Sequence, residues 1–214
     1  MKIEIKDLTK RFDDIDIIKK VNLEFEEGKI YGFIGKNGSG KSVLFKLICG
    51  LYTPTNGSVV INGVNIHEKN SFYEDMRILI EKPNFISQLS GFENLKVLAS
   101  IQNKIGVDEI ESALKQVNLY EERNKKYSKY SLGMKQKLGL AQVFMENPKV
   151  MILDEPLNGI EEKTANKIRE ILKEEKKKGK IILIASHIKE DIIGLADEIY
   201  KIEEGVVSKY IVKE

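Results

Sequence analysis

The stretch Gly35-Lys36-Asn37-Gly38-Ser39-Gly40-Lys41-Ser42 decides the reading of this chain. Before it runs Lys29–Ile34, apolar enough to be a buried strand; after it Val43, Leu44, Leu47 and Ile48 recur at helical spacing until Gly50 stops them. Two glycines followed by Lys and Ser, set between strand and helix, form a phosphate-loop pattern. The glycines let the backbone curl so that its N–H groups converge on an anion, and the following helix presents its positive dipole end to the same place. Lys41 then reaches the β- and γ-phosphates of a nucleotide, and Ser42 offers Mg²⁺ a hard hydroxyl oxygen. A tight glycine-rich turn could share this composition, but the strand before and the helix after it select the phosphate loop. Gly35, Asn37, Gly38, Ser39, Gly40, Lys41 and Ser42 are therefore the candidate nucleotide contacts.

Working outward, Val150–Leu153 is an apolar strand that ends in Asp154 and Glu155, at the carboxyl edge where α/β sheets bind ligands. Neighbouring strand residues face opposite sides, so the two acids need not share one task. With a triphosphate nearby, Asp154 would hold the metal shell and Glu155 would polarise the attacking water. An acidic pair after a strand is by itself often only a turn; the phosphate loop makes it a candidate site.

Alternating apolar positions at Ile3 and Ile5, at Val21, Leu23 and Phe25, and before an Asn62-Gly63 turn predict an antiparallel β layer in the first sixty residues. Between 88 and 146 the pattern becomes helical. Ser90 with Glu93 and Asp108 with Glu111 have capping-box spacing, and Ser131 opens a third helix that closes before Pro148. Beyond it, a helix over about Glu161 to Lys178 joins Val150–Leu153 to Ile181–Ala185 as a parallel crossover. A short hairpin around Glu204-Gly205 ends the pattern. The expected fold class is α/β with a mostly parallel core sheet, an antiparallel N-terminal layer and an inserted helical subdomain. The expected division is one domain over 1–214, with a core of 1–87 and 147–214 and the insertion at 88–146.

Composition excludes several classes. With 35 basic against 33 acidic residues, the net charge of +2 provides no electrostatic footprint for nucleic acid. The single cysteine, Cys49, cannot build an intrachain disulfide framework and reads as a core residue on the helix after the loop. Met1–Lys10 lacks the apolar core of a secretory signal, and the longest apolar runs fall far below the roughly 18 residues that span a bilayer. The Lys/Glu run Lys173–Lys180 reads as a solvated helix face.

With these motifs in order, nearly the whole chain resembles the ATP-binding cassette (ABC) family, and the resemblance implies an ATPase that takes ATP and Mg²⁺. Tyr130-Ser131-Leu132-Gly133-Met134-Lys135-Gln136 lies where that family carries its signature sequence, so Ser131 and Gly133 would cap the γ-phosphate held by an opposite subunit. The family usually has a second glycine where Met134 stands and Gln where Lys135 stands. Ser186-His187 resembles the family's switch histidine; with Lys41 and Glu155, His187 completes the implied catalytic set. Leu157–Glu161 resembles the loop that crosses the dimer interface, with Glu161 where Asp is more usual. Phe12 stands where the family stacks an aromatic on adenine, although a core aromatic would read the same. Glu81 stands where a metal-touching glutamine is usual, which makes Ser42, Glu81 and Asp154 the implied metal ligands.

Glu81 and the altered signature resemble the branch associated with bacitracin and lantibiotic peptide export or self-immunity. The resemblance implies two cassettes, identical or related, closing over two ATP molecules. It also implies a separate transmembrane permease, with the chain peripheral on the cytoplasmic face of the membrane and no nucleic-acid partner. Two alternatives stay open: a soluble cassette ATPase acting on the ribosome or DNA, and a nucleotide-binding regulator that does not hydrolyse.

Overall fold

The computed structural model describes residues 1–68 and 73–212; those parts of the expected core that fall at 69–72 and 213–214 lie outside the described residues. The strands are β1 (Lys2–Phe12), β2 (Ile15–Glu26), β3 (Lys29–Ile34), β4 (Asn56–Ile61), β5 (Val64–Asn65), β6 (Met76–Leu79), β7 (Val150–Asp154), β8 (Ile181–Ser186), β9 (Glu198–Glu203) and β10 (Val206–Tyr210). The helices are α1 (Lys41–Ile48), α2 (Gly91–Gln102), α3 (Val107–Gln116), α4 (Leu132–Phe144) and α5 (Glu162–Lys177).

Two sheets result. The first, in order β2-β1-β4-β5, is antiparallel throughout, as the N-terminal alternation predicts. The second, in order β10-β9-β3-β8-β7-β6, is parallel except for its last hairpin, where β10 pairs antiparallel with β9. The phosphate-loop strand β3 lies between β8 and β9, so the central strands are covered on both faces and read as continuous apolar runs.

The period of two divides β7 between the faces. Val150 and Ile152 pack with Phe33, Phe45 and the first sheet, whereas Met151 and Leu153 pack with α4 and α5. The same alternation sends Asp154 toward α1 and its Ser42. Helices α2, α3 and α4 pack on the opposite face through Leu95, Ala99, Ile110, Leu114, Leu138 and Ala141. Each fully buried aliphatic side chain of this kind contributes about 1.5–3 kcal/mol of transfer free energy.

Two local expectations need correction. The cap at Ser90 forms with Glu93 as read, but α3 does not open on Asp108 with Glu111. It opens after Gly106, whose N–H donates to the Glu109 carboxylate at 2.8 Å; burial of Ile110, Ala113 and Leu114 sets the helix phase and leaves Asp108 inside the first turn. Glu111 serves elsewhere, accepting from the Tyr120 hydroxyl. Within the Lys173–Lys180 run, Lys173 and Lys177 do sit on a solvated face with partners three residues away. Lys180 is buried, because it precedes the fully buried start of β8, and its ammonium is held by Glu175 and Asn147.

Candidate functional site

The loop between β3 and α1 is wound tightly. Gly40 has φ 107°, and a Cβ there would lie 3.1 Å from the Ile17 carbonyl oxygen and from Ile18 Cδ1. No acidic side chain stands in the first turn of α1, so the helix itself sets no negative charge against an anion at its amides. Lys41 is only 6% exposed, and its ammonium folds back over the loop, donating to the Gly35 carbonyl at 2.7 Å and to the Lys36 carbonyl at 3.2 Å. The Glu155 carboxylate lies 3.7 Å from it.

Ser42 donates its hydroxyl to Asp154 Oδ2. Asp154 is 4% exposed, and its other oxygen, Oδ1, is buried with no hydrogen-bond partner. Burial raises its pKa; the Ser42 hydrogen bond opposes that rise, and the neighbouring Glu155 charge adds to it. An orphaned carboxylate oxygen beside a hydroxyl is a donor set of hard oxygens, and it fits a small divalent cation bound together with phosphate oxygens.

Glu155 follows β7 with its backbone in the left-handed region, φ 51°, a conformation that costs a side-chain-bearing residue about 1–3 kcal/mol unless its surroundings impose it. Its surroundings do so. Its N–H donates to the Ala185 carbonyl at 2.9 Å, and its carboxylate accepts the His187 N–H at 2.9 Å and the Ser186 hydroxyl at 3.3 Å. His187 Nδ1 sits 2.8 Å from the same carboxylate. The ring is thereby oriented with Nε2 on its far side. Ser186 is braced in turn by Asp191, and Asp191 by Arg169.

Phe12 is 40% exposed and packs edge-on against Tyr52, with ring centroids 5.6 Å apart. It is a rim residue and not a core aromatic. An open cleft of about 390 Å³ joins it to Asn37, Gly38, Gly40, Lys41, Ser42, Asp154 and Glu155. On the other side of the loop, a second hollow of about 500 Å³ brings Gly35, Asn37, Gly38 and Ser39 to His187.

Three expected site residues line neither of these hollows. The Glu81 carboxylate is held by the Lys46 ammonium on α1, not by Ser42 or Asp154. Ser131 caps α4, accepting the Met134 N–H at 3.2 Å, and Gly133 lies against the backbone of Gly159. Sequence reading overlooked Tyr52 and Lys46, and gave Gln136, the last residue of the signature-like run, no role of its own. A polar Gln136 among the apolar positions Leu138, Leu140 and Ala141 was the signal available for the last of these. Cys49 is buried, and that burial pushes its thiol up to about 11.

Comparison with known proteins finds relatives by sequence and by fold. A family model described as ABC transporter matches residues 18–158. The ABC transporter ATP-binding protein YybJ of Bacillus subtilis (strain 168) is 40% identical over 203 residues, 95% of this chain and 93% of the relative. The bacitracin transport ATP-binding protein BcrA of Enterococcus faecalis is 40% identical over 205 residues, covering 95% of this chain and 67% of that protein. The lantibiotic transport ATP-binding protein SrtF of Streptococcus pyogenes is 35% identical over 207 residues, 96% and 88% of the two chains. Among solved structures, an ATP-binding subunit of an ABC transporter superposes with a TM-score of 0.87 at 26% identity, covering 98% of this chain and 90% of that one. The fold is also that of the dimeric cassette MJ0796 bound to ADP and Pi, with TM-score 0.85 at 23% identity, covering 97% and 98%.

Proposed function

This chain belongs to the ABC transporter family, as an ATP-binding ATPase subunit, and from that premise we propose how its own residues bind and hydrolyse ATP. The loop amides and Lys41 grip the β- and γ-phosphates, and Phe12 with Tyr52 gives the adenine an aromatic wall. Ser42 and Asp154 would hold Mg²⁺, which would supply positive charge to offset that of the phosphates. Glu155 is the general base: it orients and deprotonates the attacking water while His187 fixes the carboxylate and reaches toward the γ-phosphate. Glu81 would complete the metal shell by exchanging Lys46 for the cation.

Ser131 and Gly133 lie outside the cleft of their own chain, and this supports a reading in which they close the site of an opposite cassette. The pair would be a second copy or a related cassette, with each site completed across the interface. The names of BcrA and SrtF support a bacitracin- or lantibiotic-like peptide as the compound exported or resisted. No helix among the described residues is long and apolar enough to cross a membrane; the transport names of BcrA and SrtF support a separate permease as the conducting path. The segment 88–146, as a helical lobe on the core of 1–87 and 147–214, would dock that permease from the cytoplasmic face.

The observation that carries the reading is the pairing of an imposed left-handed Glu155 with His187 beside a buried Lys41 and the Ser42–Asp154 pair. Replacing Glu155 by Gln keeps the cradle and removes the base. Phosphate release is expected to fall by about 10²–10⁴-fold with ATP affinity kept; unchanged turnover would sink the assignment.

A further inference from the structure

We infer that Gln136 is a positioning residue for hydrolysis: its side-chain amide holds the Glu155 main chain and so ties the base to the helix that Ser131 caps. This rests on the reading of Glu155 as the base. Gln136 is 7% exposed, and its Nε2 donates to the Glu155 carbonyl oxygen at 3.0 Å. It sits on α4 beside Leu138, Leu140 and Ala141, all fully buried, where an amide left without a partner would be costly.

Glu155 needs such a hold, because its φ of 51° persists only while neighbours impose it. Its N–H is fixed by β8 and its carboxylate by the turn at Ser186 and His187. Those anchors move together, since both belong to the end of one strand. The carbonyl accepts the Asn158 N–H at 3.2 Å within its own turn, and Gln136 adds the hold that comes from a different element, α4. Helix α4 begins one turn earlier at the Ser131 cap, with Gly133 seated on the Gly159 carbonyl. A displacement of the α4 start, such as docking of Ser131 on a neighbouring cassette's nucleotide would cause, therefore reaches the Glu155 main chain directly through the Gln136 hydrogen bond. The chain's own base would then be aimed by the engagement of its signature helix, so that firing at one site depends on closure at the other.

The test compares wild type, Gln136→Met (same shape, no donor), Gln136→His (ring Nε2–H near the amide position) and Glu155→Gln. Phosphate release and ATP affinity are measured on the purified chain, at concentrations where cassettes pair. The expected result for Gln136→Met is a kcat about 10- to 100-fold lower with KM and ATP affinity within twofold, and recovery of most of the loss in Gln136→His. A Gln136→Met chain with wild-type kcat overturns the inference, and so does a loss matched by weaker ATP binding or shared equally by the His variant. If Gln136→Met does not fold, Gln136→Leu, apolar and unable to donate, takes its place. Failure of both to fold also counts against the inference, because the bond would then hold the domain and not the base. Unchanged turnover in Glu155→Gln marks failure of the underlying assignment; a loss there with none in Gln136→Met marks failure of this inference alone.

Discussion

Gly133→Ala separates packing from activity. Gly133 is the second residue of α4, where Ala is the better helix former by at most about 1 kcal/mol. Its added methyl would meet the Gly159 carbonyl oxygen at 2.6 Å, well inside the 3.4 Å at which ordinary contact begins. A backbone oxygen cannot swing aside as a side-chain tip can, so either the start of α4 or the 157–160 turn must move by most of an ångström. Overpacking of this kind costs about 1–3 kcal/mol, which after the helix gain leaves a net loss of up to about 2 kcal/mol. For a domain of this size that lowers the melting temperature by up to about 8 °C. The functional effect is larger, because a misplacement near 1 Å in a positioning element costs about 10²-fold in rate. Phosphate release should therefore fall by one to two orders of magnitude in a chain that is still folded at 25 °C, as followed by differential scanning fluorimetry. Turnover within twofold of wild type, with the same thermal shift, would refute the linkage between the α4 start and hydrolysis.

Gly40→Ala puts a side chain at φ 107° and against the Ile17 carbonyl, so ATP affinity measured by calorimetry should weaken by at least about tenfold, and unchanged affinity would contradict the loop geometry. Lys46→Ala and Glu81→Gln should each cost little stability, and their double-mutant coupling by chemical unfolding should be about 0.2–1 kcal/mol, since the Glu81 side chain is largely exposed. The Cys49 thiol, pushed up to about 11, is protonated at pH 8, so a thiol reagent should label the native chain only as fast as it unfolds. Labelling at the rate of a free thiol would place Cys49 outside the core.

The strand Lys29–Ile34, the turn at Gly35–Ser42 and the helix behind it were legible because each is a local signal: an apolar run, a glycine pattern and a 3.6-residue period. Asp154 and Glu155 were legible for the same reason, at the end of an apolar run. What local pattern could not give is which distant group each side chain meets. Lys46 and Glu81 stand 35 residues apart, and Gln136 and Glu155 stand 19 apart, so only the packing of α1 and α4 onto the sheet brings them together. Asp108 with Glu111 and Gly106 with Glu109 have the same spacing, and the choice between them fell to the buried face of α3. Lys180 looked solvated because it follows a run of surface lysines, yet the strand that begins at Ile181 carries it inward.

Calorimetric titration of ATP with magnesium into the wild-type chain and into Lys41→Met tests the nucleotide cradle most directly. Saturable heat is expected in the wild type at micromolar to submillimolar ATP, weakened at least about tenfold by the loss of the ammonium that lies over the loop. Folded wild-type protein that gives no binding heat at millimolar ATP, or a Lys41→Met chain that binds equally well, would contradict it.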